Sequence, residues 1–155
     1  MRPSYTGELK KKELEMRVEE KIAILTGAAS GIGQATALRF AREDAQVVCF
    51  DCKSLDETIG AIENVGCSAI AYQGDVRHAS DWKEVVQQTV DRFGRIDVRG
   101  NIGGVVSIGP DNVIEQTEDG WDRIVDINLK GTWLGMKEVM PVMIKNGGGK
   151  CHCRM

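Results

Sequence analysis

Residues 21–33 read KIAILTGAASGIG, an apolar run from Ile22 to Leu25 closed by Thr26 and Gly27, with further glycines at Gly31 and Gly33. A short unbroken apolar run bounded by turn residues suits a strand buried on both faces of a parallel sheet. From Gly31 the chain continues IGQATALRFAREDA, which places Ile32, Ala35, Leu38, Phe40 and Ala41 at helical spacing. A strand that passes into a helix through close glycines lets the backbone approach a ligand. The helix start adds unpaired N–H groups and the positive end of its dipole, which together make a cradle for a pyrophosphate. An ordinary tight turn is the bland alternative. Triphosphate hydrolysis is disfavoured, because Gln34 and Ala35 follow Gly33 where a P-loop carries Lys and Ser or Thr.

Outward from this turn the same alternation repeats. AQVVCFD (45–51) reads as a second buried strand, and LDETIGAIENVG (55–66) as a helix with Leu55, Ile59, Ile62 and Val65 on one face. CSAIAYQGDV (67–76) is a third strand running into a loop, and SDWKEVVQQTVDRFG (80–94) an amphipathic helix with Ser80 as its expected N-cap. RIDVRGNIGG (95–104) resembles a fourth strand. Residues 117–149 then form one expected long helix, kinked or nearly ended by Pro141 and stopped by glycines. Strands alternating with helices predict βαβ units, hence an α/β fold with a doubly wound parallel sheet, incomplete, of about four strands in the order 3-2-1-4. Residues 1–20 are a charged N-terminal extension.

The 155 residues carry a formal net charge of −3, with 28% charged and 42% hydrophobic residues, so nothing basic points to nucleic acid or an anionic membrane. No run approaches the roughly 20 apolar residues that span a bilayer, and the N-terminus lacks the apolar core of a secretory signal. A cytoplasmic protein with small-molecule ligands is expected. The five cysteines (Cys49, Cys52, Cys67, Cys151, Cys153) are odd in number and irregularly spaced, which favours reduced thiols. Cys49 and Cys52 have redox-motif spacing, and with Cys151, His152 and Cys153 they nominally supply zinc ligands. The expected strand order separates the two groups by about three spacings of roughly 4.8 Å, far beyond a zinc–sulfur bond, so no metal site is expected. His78 reads as a surface residue, and Trp82, Trp121 and Trp133 as packing residues.

Asp51 closes the second strand, 18 residues after Gly33. A carboxylate there accepts hydrogen bonds from the hydroxyls of an adenosine ribose and repels a 2′-phosphate, which favours NAD over NADP. Lys53 can attend such a phosphate, which keeps NADP as the less favoured cofactor. An aspartate capping the next turn is the plain alternative. The ordered set TGAASGIG, Asp51, Gly74-Asp75-Val76, DVRGNIGGV and Ile127-Asn128-Leu129-Lys130-Gly131 resembles the short-chain dehydrogenase/reductase family over about residues 20–150. The resemblance implies a Rossmann-type domain over 21–150, with 151–155 as a tail outside the family pattern. It implies that Gly27, Ser30, Gly31, Ile32 and Gly33 bind the dinucleotide and that Asp51 reads its adenosine ribose. Asp75 and Val76 would flank the adenine, and Asn101 and Gly103 would lie near the second ribose. Asn128 would be the catalytic-site asparagine that organises a water-linked proton relay. The implied reaction is hydride transfer between a nicotinamide cofactor and a small alcohol or carbonyl, in a homo-oligomer paired through the helix bearing Trp121 and Trp133.

Two departures from the family pattern stand out. Arg99 and Gly100 occupy positions where a central strand carries apolar residues, and an unpaired buried arginine is costly; Ile102 replaces a polar residue at the cofactor wall. The family's serine and Tyr-x-x-x-Lys pair have no counterpart: the tyrosines are Tyr5 and Tyr72, with Leu9 and Val76 four positions on. The tail GGGKCHCRM (147–155) falls where a fifth strand should begin. The chain is therefore expected to be inactive alone, as a truncated oxidoreductase. The alternatives are a non-catalytic dinucleotide-binding or regulatory pairing module, and a decayed or frameshifted unstable product with its fourth strand left as a bare edge.

Overall fold

The computed structural model describes residues 17–106 and 112–153. The chain forms β1 (Ile22–Thr26), α1 (Gly31–Arg42), β2 (Gln46–Asp51), α2 (Asp56–Glu63), β3 (Ala69–Gln73), α3 (Ala79–Phe93) and β4 (Val98–Asn101). There follow α4 (Glu118–Val125), a π-helical turn (Asp126–Lys130), α5 (Gly131–Lys145) and β5 (Lys150–Cys153). The strands make one parallel sheet in the order β3-β2-β1-β4-β5. This is the doubly wound α/β architecture expected, with one strand more than the four expected. Of the N-terminal extension, residues 1–16 lie outside the described residues.

Both faces of β1 are buried, as its apolar run requires, and the sheet divides two cores. On one side Ala23, Leu25, Val47 and Cys49 pack under Ala37 and Ala41 of α1 and Ile62 of α2. On the other, Ile24, Val48, Phe50 and Tyr72 meet Trp82 and Val85 of α3 and Leu134 and Val139 of α5. The second core centres on an aromatic stack: Phe50 lies 5.0 Å from Trp82 and 5.2 Å from Tyr72, both edge to face. The indole N–H of Trp82 donates to the Val76 carbonyl at 2.9 Å, so this fully buried ring leaves no polar atom unpaired.

The long helical segment expected before the glycines runs from Glu118 to Lys145, continuous through the π-helical turn, with Pro141 about one turn before its end. Two local expectations need correcting. α3 begins at Ala79 with His78 at the N-cap and no capping side chain; Ser80 donates to Asp81 Oδ1 instead. Only Trp82 of the three tryptophans is a core residue, because Trp121 and Trp133 are 63% and 52% exposed. With Leu129, Met140 and Ile144 they leave apolar surface on α4, α5 and the turn between them.

The tail is also corrected: β4 is not a bare edge, because β5 pairs with it from Val98↔Lys150 to Asn101↔Cys153. The glycines that end α5 explain why. The N–H of Gly148 donates to Met143 O and that of Gly147 to Ile144 O, a Schellman closure that requires the left-handed φ of +87° at Gly147. The chain is thereby turned back so that Lys150 N donates to Asp97 O at 2.8 Å and enters the sheet.

Replacing Trp82 by Ala empties the centre of the second core. A loss of about 3–5 kcal/mol is expected, read as a lower midpoint in urea denaturation with little change in slope.

Candidate functional site

The turn between β1 and α1 is built by backbone pressed against backbone. Gly27 has φ +69°, and a Cβ there would lie 2.5 Å from Gly103 Cα; a Cβ on Gly33 would lie 2.5 Å from the Gly27 carbonyl carbon. Thr26, fully buried at the end of β1, accepts the N–H groups of Ile102 (3.1 Å) and Gly103 (3.2 Å) through its hydroxyl. It thereby ties the β1 turn to the loop leaving β4. Ser30 stands at the N-cap of α1 in an extended conformation and makes no capping hydrogen bond. The first turn of α1 (Gly31, Ile32, Gly33) therefore has no side-chain cap, and Ile32, 55% exposed, lies beside it.

Asp51 ends β2 next to this turn. Its Oδ2 accepts the Ala29 N–H and its Oδ1 the Lys53 N–H, both at 3.0 Å. Each carboxylate oxygen keeps further acceptor capacity. Thr58 of α2, unremarked in the sequence, donates to the Ala28 carbonyl at 2.8 Å and fixes the turn from the other side. Gly74 donates its N–H to the Asp51 carbonyl, which brings the loop after β3 to the same end of the sheet. There the Asp75 N–H is taken by Asp81 Oδ2 at 2.7 Å, while the Asp75 carboxylate binds Arg77. That arginine, against an opposing effect of burial, holds the Asp75 carboxyl below its ordinary range. Val76 packs against Gly131, where a Cβ would meet the valine side chain at 2.9 Å.

Asn101 and Asn128 belong to one connected network rather than to two separate places. Asn101, buried at the end of β4, donates to Thr132 Oγ1 at 2.6 Å, and Thr132 donates to the Asn128 carbonyl at 2.7 Å. The Asn128 side chain clamps Val105 through both backbone groups, accepting its N–H (2.9 Å) and donating to its carbonyl (2.7 Å). Asn128 lies in the π-helical turn, where the helix ladder is locally rewired. The structure thus brings Gly27, Ser30, Gly31, Ile32, Gly33, Asp51, Asp75, Val76, Gly103 and Asn128 to the carboxyl ends of the strands, with the Asn101 side chain turned into the core. Thr26, Thr58 and Thr132 were missed, because a threonine at a strand end or in a helix has no signature until its hydrogen-bond partner is known.

The described tyrosine is unsuited to proton transfer near neutrality. Burial first, then the hydrogen bond it donates to Glu84 at 3.0 Å, push the Tyr72 hydroxyl up to about 12. Cys49 is likewise pushed up to about 12 by burial. It lies on β2, with β1 and β4 between it and the cysteines of β5, and no group of three or more His, Cys, Asp or Glu suited to a metal occurs among the described residues. No described helix is long and apolar enough to cross a membrane.

Residues 21–151 match the family model described as short chain dehydrogenase. The chain is 38% identical over 136 residues to the 3-oxoacyl-[acyl-carrier-protein] reductase FabG of Thermotoga maritima, covering 86% of this chain and 54% of that protein. It is 41% identical over 134 residues to the oxidoreductase YxbG of Bacillus subtilis, covering 85% and 49%. Among solved structures it resembles a short-chain type dehydrogenase/reductase from Mycobacterium marinum, with TM-score 0.82 and 28% identity over 88% of this chain and 56% of that one. Carveol dehydrogenase from Mycobacterium avium, solved in complex with NAD, gives TM-score 0.79 and 29% identity over 87% and 54%. The chain thus spans about half the length of the relatives it matches.

Two outcomes test the site's construction. Gly33→Ala, forced against the Gly27 backbone, is expected to cost about 1–3 kcal/mol of stability, read as a lower urea midpoint. The depressed Asp75 carboxyl contributes stability that is present above the usual aspartate value of about 3.9 and is lost as pH falls through its lower folded value. Asp75→Asn should therefore show a shallower stability loss than the wild type between pH 4 and pH 2, measured by urea denaturation at each pH.

Proposed function

The chain belongs to the short-chain dehydrogenase family, and from that premise we propose that it is the dinucleotide-binding part of an oxidoreductase that uses NAD in preference to NADP. The observation that carries the reading is the glycine cradle: Gly27, Gly33 and Gly103 approach so closely that no side chain fits between them, beside an uncapped helix start. Such an arrangement suits a group that needs backbone contact and N–H donors, as a pyrophosphate does. Gly31, Ile32 and Gly33 would hold the pyrophosphate, and Asp51, with its remaining lone pairs, the adenosine ribose. Asp75 and Val76 would border the adenine, and Gly103 the second ribose. When bound, the nicotinamide supplies a two-electron hydride carrier for an alcohol or carbonyl substrate.

What this chain's residues do is bind and orient. Asn128 holds the loop after β4 through Val105 and, with Thr132 and Asn101, stiffens the wall beside the cofactor. The proton that must enter or leave the substrate oxygen finds no suitable tyrosine among the described residues. Tyr5 and Tyr72 lack a lysine four residues on, and the Tyr72 hydroxyl is held protonated. Hence residues 1–155 bind dinucleotide without turning over substrate by themselves. The apolar surface of Trp121, Leu129, Trp133 and Met140 supports self-association through α4 and α5.

Calorimetric titration of the purified chain with NAD and NADP tests this. Saturable binding of NAD, weaker binding of NADP, loss of that preference in Asp51→Ala, and no NADH production from alcohols are expected. Absence of heat with either nucleotide from a cooperatively folded sample would remove the reading.

A further inference from the structure

Arg99 is a fully buried cation with no carboxylate partner among the described residues. Four elements surround it. From α3, the Trp82 ring lies 4.8 Å from the guanidinium carbon; from α5, Gly135 leaves the space that the guanidinium fills. From β4, Asn101 Oδ1 accepts from Nη2 at 3.1 Å, and from β5, Cys153 Sγ sits 3.8 Å from Nη1. Nε has no partner. Burial pulls the guanidinium below its usual range, and the groups whose charge opposes this are Cys153 and then Cys151. A thiol is a weak acceptor, so the cation retains donor capacity aimed at one sulfur.

Cys153 differs from the other cysteines in this respect. Cys49 is sealed in the core, and Cys151, two residues earlier on β5, contacts Met143 Sδ at 3.8 Å. Cys153 is half-buried rather than sealed, and its sulfur is the one in contact with the guanidinium. An oxygen on its sulfur would replace the long sulfur contact with a charge-assisted hydrogen bond of ordinary length, about 2.7–2.9 Å.

We propose that Cys153 is an oxidation site for small hydroperoxides whose sulfinate product is received by the buried Arg99 guanidinium, latching β5 onto β4. In the first step the sulfur attacks the terminal peroxide oxygen: an S–O bond forms, the O–O bond breaks, and the leaving hydroxide (from hydrogen peroxide) or alkoxide (from an organic hydroperoxide) takes the thiol proton as water or alcohol. Sulfur loses two electrons and the peroxide gains them. A second peroxide repeats the exchange on the sulfenic acid, and the resulting sulfinic acid releases its proton to solvent. The product is an anion facing a cation that has no carboxylate partner among the described residues.

Melting temperatures at pH 7 of the full chain carrying Cys153→Asp or Cys153→Ser test the pairing. The aspartate mimics the sulfinate charge, and the serine supplies a neutral hydroxyl. The aspartate variant is expected to melt about 5 °C above the serine variant, an advantage that disappears when Arg99→Met is added. In parallel, a Cys151→Ser chain treated with millimolar hydrogen peroxide should gain two oxygens on the peptide containing Cys153 and rise in melting temperature. A Cys151→Ser, Cys153→Ser chain given the same peroxide should not rise. An aspartate variant that melts no higher than the serine variant, or a Cys153 sulfinate that melts lower than its thiol, overturns the proposal.

Discussion

Everything at the carboxyl ends of the strands depends on the contact of Gly27 with Gly33 and Gly103. These residues belong to three separate segments: the turn after β1, the first helical turn of α1 and the loop after β4. Their backbones meet at distances a single methyl group would forbid. The Thr26 hydroxyl secures this approach by accepting two half-buried N–H groups of the β4 loop. The glycine pattern is therefore a packing requirement before it is a binding feature. The concavity suited to a diphosphate follows from it.

A second constraint runs along β4. Burying an arginine in a central strand of a parallel sheet is costly, and in the structure it is accommodated by surroundings drawn from four elements. Trp82 offers a ring face, Asn101 an amide oxygen, Gly135 an empty volume and Cys153 a sulfur. The same Asn101 extends the network through Thr132 to Asn128 and Val105. The buried cation is thus joined to the loop that forms one wall of the candidate site. The loop after β4 and the end of β5 are therefore joined by one chain of contacts through Arg99, Asn101, Thr132 and Asn128.

Much of this arrangement was legible in the sequence. The run IAILT, the glycine turn and the helical spacing after it announce β1 and α1, because burial on both faces and the 3.6-residue period leave direct traces in residue order. The third and fourth strands and α3 were legible for the same reason. Ser80 misled, since a serine near a helix start is a statistical cap and Asp81 took the local hydrogen bonds instead. Trp121 and Trp133 misled because helical spacing gives a face without saying what covers it.

The sequence by itself determined the alternating α/β order, the glycine cradle, the acid at the end of β2 and the family, since each rests on local conformation or on the spacing of a few residues. Only the tertiary structure decided that the tail pairs as β5, that Arg99 is buried against Trp82 and Cys153, and that Asn101 turns inward to join Asn128. Those outcomes depend on which side chains meet across strands and helices 17 to 54 residues apart in sequence. Local propensity carries no information about such meetings, and the free energy of burying a polar group is set entirely by them.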